Sequence, residues 1–328
     1  MRKTLIIKAS AGRVSSSITK WVAQYFPHFT CSILRFYFRY FPSDKAKLKV
    51  WEKLVRPYLI PQKRSIVARL KNGSRIYGNF PDVIHVYLYF FGVWEPAITA
   101  YYERVLRPGD IVIDIGANVG VHALLAADLV GATGRVYAVE ASPTIFRQLT
   151  RNLDLNHVSN LFAYNYAVLD RAEPVPVFLH HDENIGGTTI VMGEALHRNS
   201  TLEGFVEGRP LSAIIPSDTI SAARLIKIDV EGAEWLVIKG LQDTFHLLHQ
   251  DVSILVEVTV SSLENFGVTV QEFLSIFKQY DFIPFRLRNE YTPEFYIRPG
   301  DVELIPFEED QFDIADIVFR RAHCAVRC

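Results

Sequence analysis

From residue 107 onwards, short apolar runs of strand length alternate with longer segments in which apolar residues recur at helical spacing. This pattern predicts strands at 111–115, 135–139, 161–168, 174–180, 225–228, 253–258, 282–287 and 314–319, and helices at 121–130, 143–156, 233–241 and 270–280. Strands that alternate with helices form a parallel sheet covered on both faces, so the predicted fold class is α/β, with a doubly wound, mostly parallel sheet. Residues 314–319 are expected to close the sheet as an antiparallel strand. Residues 186–216 have the weakest pattern and are expected to be loops over its carboxyl edge.

Two further units precede this core, which spans 107–328. Residues 61–106 are predicted to form a hairpin over 65–80, because strand-like segments flank the turn signal Asn72-Gly73, and then a helix that ends near Leu106. The remaining unit, residues 1–60, is predicted to be a basic, aromatic, helical extension.

Residues 1–60 differ from the rest of the chain in charge. They hold twelve Lys and Arg residues against two acids, a balance of +10 that leaves −11 for the remainder, since the whole chain has a net charge of −1. Aromatic and basic residues are interleaved between 18 and 41, and Pro27 interrupts any single helix there. We expect the segment to dock on the acidic body or on a partner subunit. Peripheral membrane contact and a homo-oligomer are open alternatives, and no nucleic-acid partner is expected.

The composition narrows the class of protein. Hydrophobic residues make up 49% of the chain and charged residues 22%, as in ordinary globular proteins. Three cysteines, Cys31, Cys324 and Cys328, do not suggest a disulfide framework. The longest apolar run, 83–94, is shorter than the ~18 residues of a membrane span, and the N-terminus lacks the pattern of a cleaved leader. We therefore expect a cytoplasmic protein.

The first candidate site is the turn Asp114-Ile-Gly-Ala-Asn-Val-Gly120, between a predicted strand and a predicted helix. Gly116 and Gly120 allow a tight turn and the close approach of a ligand, and the following helix points amide N–H groups at the same place. A dinucleotide-binding loop has the spacing G-x-G-x-x-G, but here Asn118 stands between two glycines and the third glycine is missing. Asp114 would repel a pyrophosphate, whereas its charge suits the ammonium group of S-adenosylmethionine.

The second candidate is Glu140, which directly follows the predicted strand 135–139. An acid at this position can accept both ribose hydroxyls of an adenosine. The alternative is a loop carboxylate that only marks the end of the strand. Because Glu140 follows the turn at Asp114 by one helix and one strand, ribose binding is the favoured interpretation.

The third candidate is Lys227-Ile-Asp-Val-Glu-Gly-Ala-Glu234, where another predicted strand gives way to a helix. Asp229 and Glu231 are expected at the same carboxyl edge of the sheet, where they could act as a base, as metal ligands or as a substrate clamp. Helix capping is the alternative, and it suits Glu234 best because the other two acids precede the helix.

These motifs resemble the FkbM family of methyltransferases. The resemblance rests on the first and third motifs and on three shorter matches, Trp94-Glu-Pro96, Asn165-Tyr-Ala-Val-Leu-Asp170 and Gly186-Gly187. It implies a class I methyltransferase (Rossmann-like) fold and methyl transfer from S-adenosylmethionine, usually to an oxygen of a sugar, a polyketide or another small molecule. The chain departs from the family at Glu140-Ala-Ser-Pro143, where a proline commonly follows the acid, and residues 1–60 lie outside the family pattern.

The predicted function is therefore S-adenosylmethionine-dependent O-methylation of a small-molecule, sugar or lipid-linked acceptor. The predicted cofactor-binding residues are Asp114, Gly116, Asn118, Gly120 and Glu140, with Asn165 and Ala167 beside the adenine. Asp229 and Glu231 are the candidate general bases, and His122 is a weaker one. No metal site is predicted, because no ligand cluster demands one, although Asp229 could hold a divalent ion. A nicotinamide-dependent oxidoreductase is disfavoured by the missing third glycine and the paired carboxylates. A non-catalytic scaffold is disfavoured because it would not need these acids together.

Overall fold

The computed structural model describes residues 24–180, 183–301, 303–308 and 312–321. Its strands are β1 (Arg64–Arg69), β2 (Arg75–Phe80), β3 (Ile111–Ile115), β4 (Arg135–Val139), β5 (Leu161–Tyr164), β6 (Ala167–Val168), β7 (Glu173–Leu179), β8 (Thr201–Arg209), β9 (Ala223–Ile228), β10 (Ser253–Thr259), β11 (Phe282–Leu287), β12 (Leu304–Pro306) and β13 (Ile314–Arg321). Its α-helices are α1 (Pro27–Tyr40), α2 (Asp44–Val50), α3 (Val83–Phe91), α4 (Pro96–Val105), α5 (Val121–Val130), α6 (Pro143–Asn156), α7 (Met192–His197), α8 (Leu211–Ile214), α9 (Ser217–Ser221), α10 (Glu234–Leu241), α11 (Val260–Glu264), α12 (Val270–Lys278) and α13 (Pro293–Ile297). A π-helical segment, Trp51–Leu59, and two 3₁₀ turns, Ile185–Gly187 and Gln242–Leu247, complete the secondary structure.

Eight strands form the central sheet, in the order β12-β11-β13-β10-β9-β3-β4-β5. Each neighbouring pair from β5 to β10 is parallel, and β13 is antiparallel to both β10 and β11. The predicted α/β fold class, including the antiparallel closing strand, is confirmed. The chain runs outward from β3 to β5 on one side and from β9 to β10 on the other, so the strand order reverses between β3 and β9. In such sheets the ligand crevice opens at this switch point.

The two faces of the sheet explain why its strands are almost entirely apolar. Val112 and Leu225 lie in the hydrophobic layer on one face, whereas the next residues along each strand, Ile113 and Ile226, lie in the layer on the other. Because side chains alternate across a strand, a strand that is covered on both faces must be apolar at successive positions. The continuous apolar run that predicts each strand therefore arises because helices cover both faces of the sheet.

The structure corrects two of the sequence expectations. Residues 161–168, predicted as one strand, are divided between β5 in the central sheet and β6 in a separate three-stranded sheet of order β6-β8-β7. Residues 186–216, predicted as loops, contain the nine-residue strand β8. The buried positions on β8 are Val206 and Gly208, and a Cβ at Gly208 would overlap the side chain of Leu169. With a glycine at an inward position, the alternation that marks a strand is lost.

The predicted hairpin is confirmed, with Arg69 opposite Arg75 across the Asn72-Gly73 turn. Further upstream, α1 begins at Pro27, whose fixed φ suits a first helical turn. The helix packs on α3 through Phe38, whose ring meets that of Phe90 edge to face. Residues 1–23 of the basic extension, together with Cys324 and Cys328, lie outside the described residues.

Among the helices that the structure describes, none is by itself both long and apolar enough to cross a bilayer. α3 and α4 would meet that criterion only as a pair, by length and composition, and they are bent by 65° at the break between them.

Candidate active site at the carboxyl edge of the sheet

A cavity of about 360 Å³ opens at the switch point between β3 and β9. Its walls come from the carboxyl ends of β3, β4, β9 and β10 and from the segments that follow them, with Val83 and Ile84 of α3 on one side. The volume falls within the range of small-molecule sites, ~300–1,000 Å³. The strand-end residues singled out in the sequence therefore converge on one ligand-sized space.

Asp114 is the most unusual acid in this cavity. It lies near the end of β3 beside Lys227 of β9, is only 1% exposed, and has no hydrogen-bond partner on either carboxylate oxygen. Burial raises its pKa, and the charge of Lys227 opposes that shift. A buried carboxylate without donors is costly unless a cation meets it. The unpartnered carboxylate of Asp114 is therefore a group that a positively charged ligand in the cavity would suit.

The turn after β3 packs closely against the segment that follows β9 and against helix α6. Gly116 has φ +82, and a Cβ there would overlap the backbone oxygen of Asp229. Gly120 has φ +92, and a Cβ there would press on Leu149 of α6. Gly116 lines the cavity, whereas Gly120 is not among the lining residues. Both glycines allow the turn. At each of them, the atoms that exclude a side chain are atoms of the protein itself.

Glu140 is held in the cavity wall by backbone amides. The N–H of Asn118 donates to its Oε2 at 2.9 Å, and the N–H of Ser142 donates to its Oε1 at 2.8 Å. Burial raises the pKa of Glu140 to about 7, although both of these hydrogen bonds oppose the shift. Each oxygen retains acceptor capacity, so the carboxylate can still receive the two hydroxyls of a ribose.

The two residues expected beside the adenine have different positions. Ala167 lines the cavity, but Asn165 is not among the lining residues. The Asn165 amide donates to the carbonyls of Glu140 and Ala141 at 2.8 and 2.9 Å, and so fixes the backbone that carries Glu140. Its position makes it a support for the backbone of the site, and its place beside the adenine stays a prediction.

The third motif supplies two carboxylates, each with a cationic partner. Asp229 Oδ2 lies 2.7 Å from Lys227 Nζ, and Glu231 Oε2 lies 2.5 Å from Arg198 Nη1. Glu231 has φ +53, a left-handed conformation that non-glycine residues adopt rarely and often at functional sites. Burial, and next the charge of Asp229, raises the pKa of Glu231 to about 8, while Arg198 pulls it down.

Glu234, the first residue of α10, has the capping role that its sequence position suggested. Its Oε1 accepts the backbone N–H groups of Gly232 at 3.1 Å and Val230 at 3.3 Å. The Glu234 carboxylate therefore ties the strained turn to the helix, and Asp229 and Glu231 stay available to the cavity.

A network that the sequence motifs did not predict lies beside these acids. Glu95 Oε2 is 2.7 Å from His122 Nε2, and the Tyr291 hydroxyl donates to Glu95 Oε1 at 2.5 Å and to Glu257 Oε1 at 3.1 Å. His122, the weaker base candidate, thus already has an acidic partner. Glu257 carried a sequence signal, an acid within the apolar run of β10, whereas Tyr291 lies in a stretch without a recognisable pattern.

Asp229, Glu231 and Glu257 also form a group that could hold a metal ion. Each offers one carboxylate oxygen, and these atoms lie within 4.8 Å of one another. Asp229 and Glu231 already have the cationic partners Lys227 and Arg198, so a metal is not needed to supply a positive charge beside them. The expectation that no metal is required stays a prediction.

Comparison with known proteins gives one family match, to the methyltransferase FkbM domain, over residues 114–284. This range is just over half of the chain and includes every predicted site residue.

Relatives with assigned activities match shorter segments. The hexuronic acid methyltransferase AglP of Haloferax volcanii is 26% identical over 137 residues, which are 40% of this chain and 50% of that protein. The protein-L-isoaspartate O-methyltransferase of Methanothrix thermoacetophila is 39% identical over 56 residues, 17% of this chain and 27% of that protein. The chain thus spans about half of the first relative and about a quarter of the second.

Two solved structures are similar at a low level. Methyltransferase FkbM from Methylobacillus flagellatus is 15% identical, with a TM-score of 0.38, and the match covers 73% of this chain and 54% of that one. An S-adenosylmethionine-dependent O-methyltransferase from Thermotoga maritima is 14% identical, with a TM-score of 0.40 and 78% of each chain covered.

Proposed function

The chain belongs to the FkbM methyltransferase family, and on that premise we propose that it transfers a methyl group from S-adenosylmethionine to a hydroxyl oxygen of a sugar or lipid-linked acceptor. Family membership removes the nicotinamide-dependent oxidoreductase and the non-catalytic scaffold from consideration. The observation that carries the choice of oxygen is the convergence of Asp229, Glu231 and Glu257 on the cavity that also contains Asp114 and Glu140.

The residues of the first two motifs would hold the cofactor. The unpartnered carboxylate of Asp114 would receive the ammonium group, and Glu140 would accept the ribose hydroxyls while Asn118 and Ser142 keep its carboxylate in place. The cofactor supplies a methyl group that is already activated on a sulfonium. The protein therefore contributes mainly alignment and the exclusion of water.

The third motif would prepare the acceptor. A hydroxyl is a poor nucleophile until its proton leaves, and a carboxylate within hydrogen-bond reach can take that proton as the oxygen bonds to the methyl carbon. Glu231 is the preferred one of the two predicted bases, because burial raises its pKa to about 8 and a carboxylate with a raised pKa binds a proton more tightly. Asp229, paired with Lys227 at 2.7 Å, would then orient the acceptor.

The same acids argue against a carboxylate acceptor. A carboxylate is already ionised at neutral pH and needs no base, so the acids grouped at Asp229, Glu231 and Glu257 would have no proton to remove from it. The similarity to AglP supports a sugar as the acceptor class, and the acid cluster supports a hydroxyl as the reacting group.

The test uses the full chain, isotopically labelled S-adenosylmethionine and a panel of hexuronic acid and neutral hexose glycosides. We expect a methyl ether, which survives mild alkali, and at least a roughly hundredfold loss of turnover in Glu231→Gln, as is typical for general bases. An alkali-labile methyl ester as the product would overturn the assignment of a hydroxyl acceptor.

A further inference from the structure

Helix α1 has two apolar faces, and the body of the protein covers one of them. Cys31, Leu34 and Phe38 are buried against the rest of the molecule. On the opposite side, a stripe of four large side chains remains open, and their exposed fractions are 65% for Phe29, 52% for Ile33, 68% for Phe36 and 69% for Tyr40. The spacing of four, three and four residues puts all four on one side of the helix. We call this set the aromatic stripe.

The aromatic stripe extends beyond these four residues. Tyr25 and Phe26 before it and Phe41 after it are also about half or more exposed. Single exposed apolar residues are common, but a contiguous row of this length marks a surface that binds something.

The body holds α1 so that the stripe faces outward. The Arg39 guanidinium donates to the carbonyl of Arg69 at 2.6 Å and, at the end of α3, to those of Tyr89 at 3.1 Å and Leu88 at 3.3 Å. The bond to Tyr89 satisfies a carbonyl in the last turn of α3, where the helix leaves carbonyls open. Rotation of α1 to hide the stripe would break them and expose Phe38.

The charge around the stripe indicates what it binds. Between residues 24 and 60 the chain carries seven Lys and Arg residues against two acids, and Lys45, Lys49 and Lys53, which follow α1, are exposed. Residues 1–23 add five more basic residues and no acid. A second copy that met the stripe with its own stripe would bring the same positive charge against it, whereas an anionic bilayer attracts each basic residue by about 1 kcal/mol.

We propose that the aromatic stripe is a peripheral membrane-binding surface, with α1 lying in the plane of an anionic bilayer. Phenylalanine and tyrosine side chains enter the boundary between headgroups and acyl chains, and the neighbouring lysines contact the headgroups. The buried face of α1 stays on the protein, so the helix lies on the membrane and does not cross it.

This surface is linked to the cavity by one helix. α3 contacts α1 at its carboxyl end and lines the cavity through Val83 and Ile84 at its amino end, a separation of about 13 Å for nine residues. The membrane contact does not depend on the proposed reaction. Only its consequence, that a lipid-linked acceptor could reach the site, rests on the proposed function.

The test is flotation of the full chain with vesicles of phosphatidylcholine containing about one third phosphatidylglycerol, at low and high salt. We expect the wild type to float with these vesicles, less so at high salt, and only weakly with pure phosphatidylcholine. The double variant Phe29→Ser/Phe36→Ser should partition at least about tenfold less, because two aromatic side chains no longer enter the bilayer.

Phe205→Ser is the matched control, since Phe205 on β8 is 65% exposed, like Phe29, but lies outside α1. It should float like the wild type, and all three proteins should bind S-adenosylmethionine with equal affinity, which separates this test from the test of function. The proposal is wrong if the wild type does not float, if the double variant floats equally well, or if the stripe instead supports a dimer that the double variant abolishes.

Discussion

The individual carboxylates around the cavity differ in the groups that hold them. Asp114 has no hydrogen-bond donor, Glu140 has two backbone amides, and Asp229 has the ammonium group of Lys227. A carboxylate with fixed donors keeps one geometry, whereas a buried one without donors is costly unless it is protonated or a cation lies near it. This difference in partners is the basis for the proposal that Asp114 receives the charge of a ligand while Glu140 and Asp229 position hydroxyl groups.

The role of Glu231 as a base predicts a pH dependence. Because its pKa is raised to about 8, the carboxylate is mostly protonated at pH 7 and becomes able to accept a proton as the pH rises. We expect kcat/KM for the acceptor to rise with pH and to level off at or below about pH 8, since a bound sulfonium cation lowers this pKa.

The measurement is the pH profile of kcat/KM at saturating S-adenosylmethionine for the wild type and Glu231→Gln. The rising limb should disappear in the variant together with most of the activity. Glu207→Gln, at an exposed glutamate on β8, serves as the control and should retain the wild-type profile. An unchanged limb in Glu231→Gln would assign the titrating group to another residue.

The sequence predicted which residues at the ends of buried strands line the cavity. It did not predict the cavity residues that lie on other segments. Asp114 and Asp229 each lie at the end of an apolar run, and parallel strands bring such ends together. Glu257 carried a signal that was not used, because it is an acid within the otherwise apolar run of β10. Tyr291 and Arg198 reach the site from segments without periodicity, where only the three-dimensional structure reveals a neighbour.

At the scale of elements, the prediction was most accurate where helices cover both faces of a strand. The bounds of β3, α5, β4 and α6 agree with those read from the sequence, because continuous burial leaves an unbroken apolar signal. It failed at β8, a strand of the three-stranded sheet, on which only Val206 and Gly208 are buried. A strand whose inward positions include glycine has no hydrophobic alternation to detect.

Two glycines of β8 provide a test of that explanation. Gly208→Ala should lower the free energy of unfolding by about 1–3 kcal/mol, because the added methyl group overlaps the side chain of Leu169. Gly204→Ala on the same strand meets nothing within 4 Å and should stay within about 0.5 kcal/mol of the wild type. Urea unfolding measures both, and equal stability of the two variants would show that Gly208 is not a packing position.

At the scale of the whole molecule, the order of strands determines where chemistry can occur. The strand order reverses between β3 and β9, and a crevice opens there. The candidate site acids of the three motifs line this crevice. The family match to residues 114–284 covers most of this core but not β12 and β13, and α1 and the hairpin precede it. The sequence predicted the core from its alternation of apolar strands and helices. It predicted the cofactor class from the residues at the strand ends and from the family resemblance. The open stripe on α1 became evident only when its other face was seen to be buried.

The most direct test of the account is calorimetric titration of the full chain with S-adenosylmethionine and, separately, with NAD. We predict a single site for S-adenosylmethionine with micromolar or tighter affinity and no comparable binding of NAD. Glu140→Ala should weaken the affinity by about 1.5–3 kcal/mol through loss of charge-assisted bonds to the ribose, and Glu207→Ala should not. Tighter binding of NAD than of S-adenosylmethionine, or wild-type affinity in Glu140→Ala, would contradict the assignment of this cavity as the cofactor site.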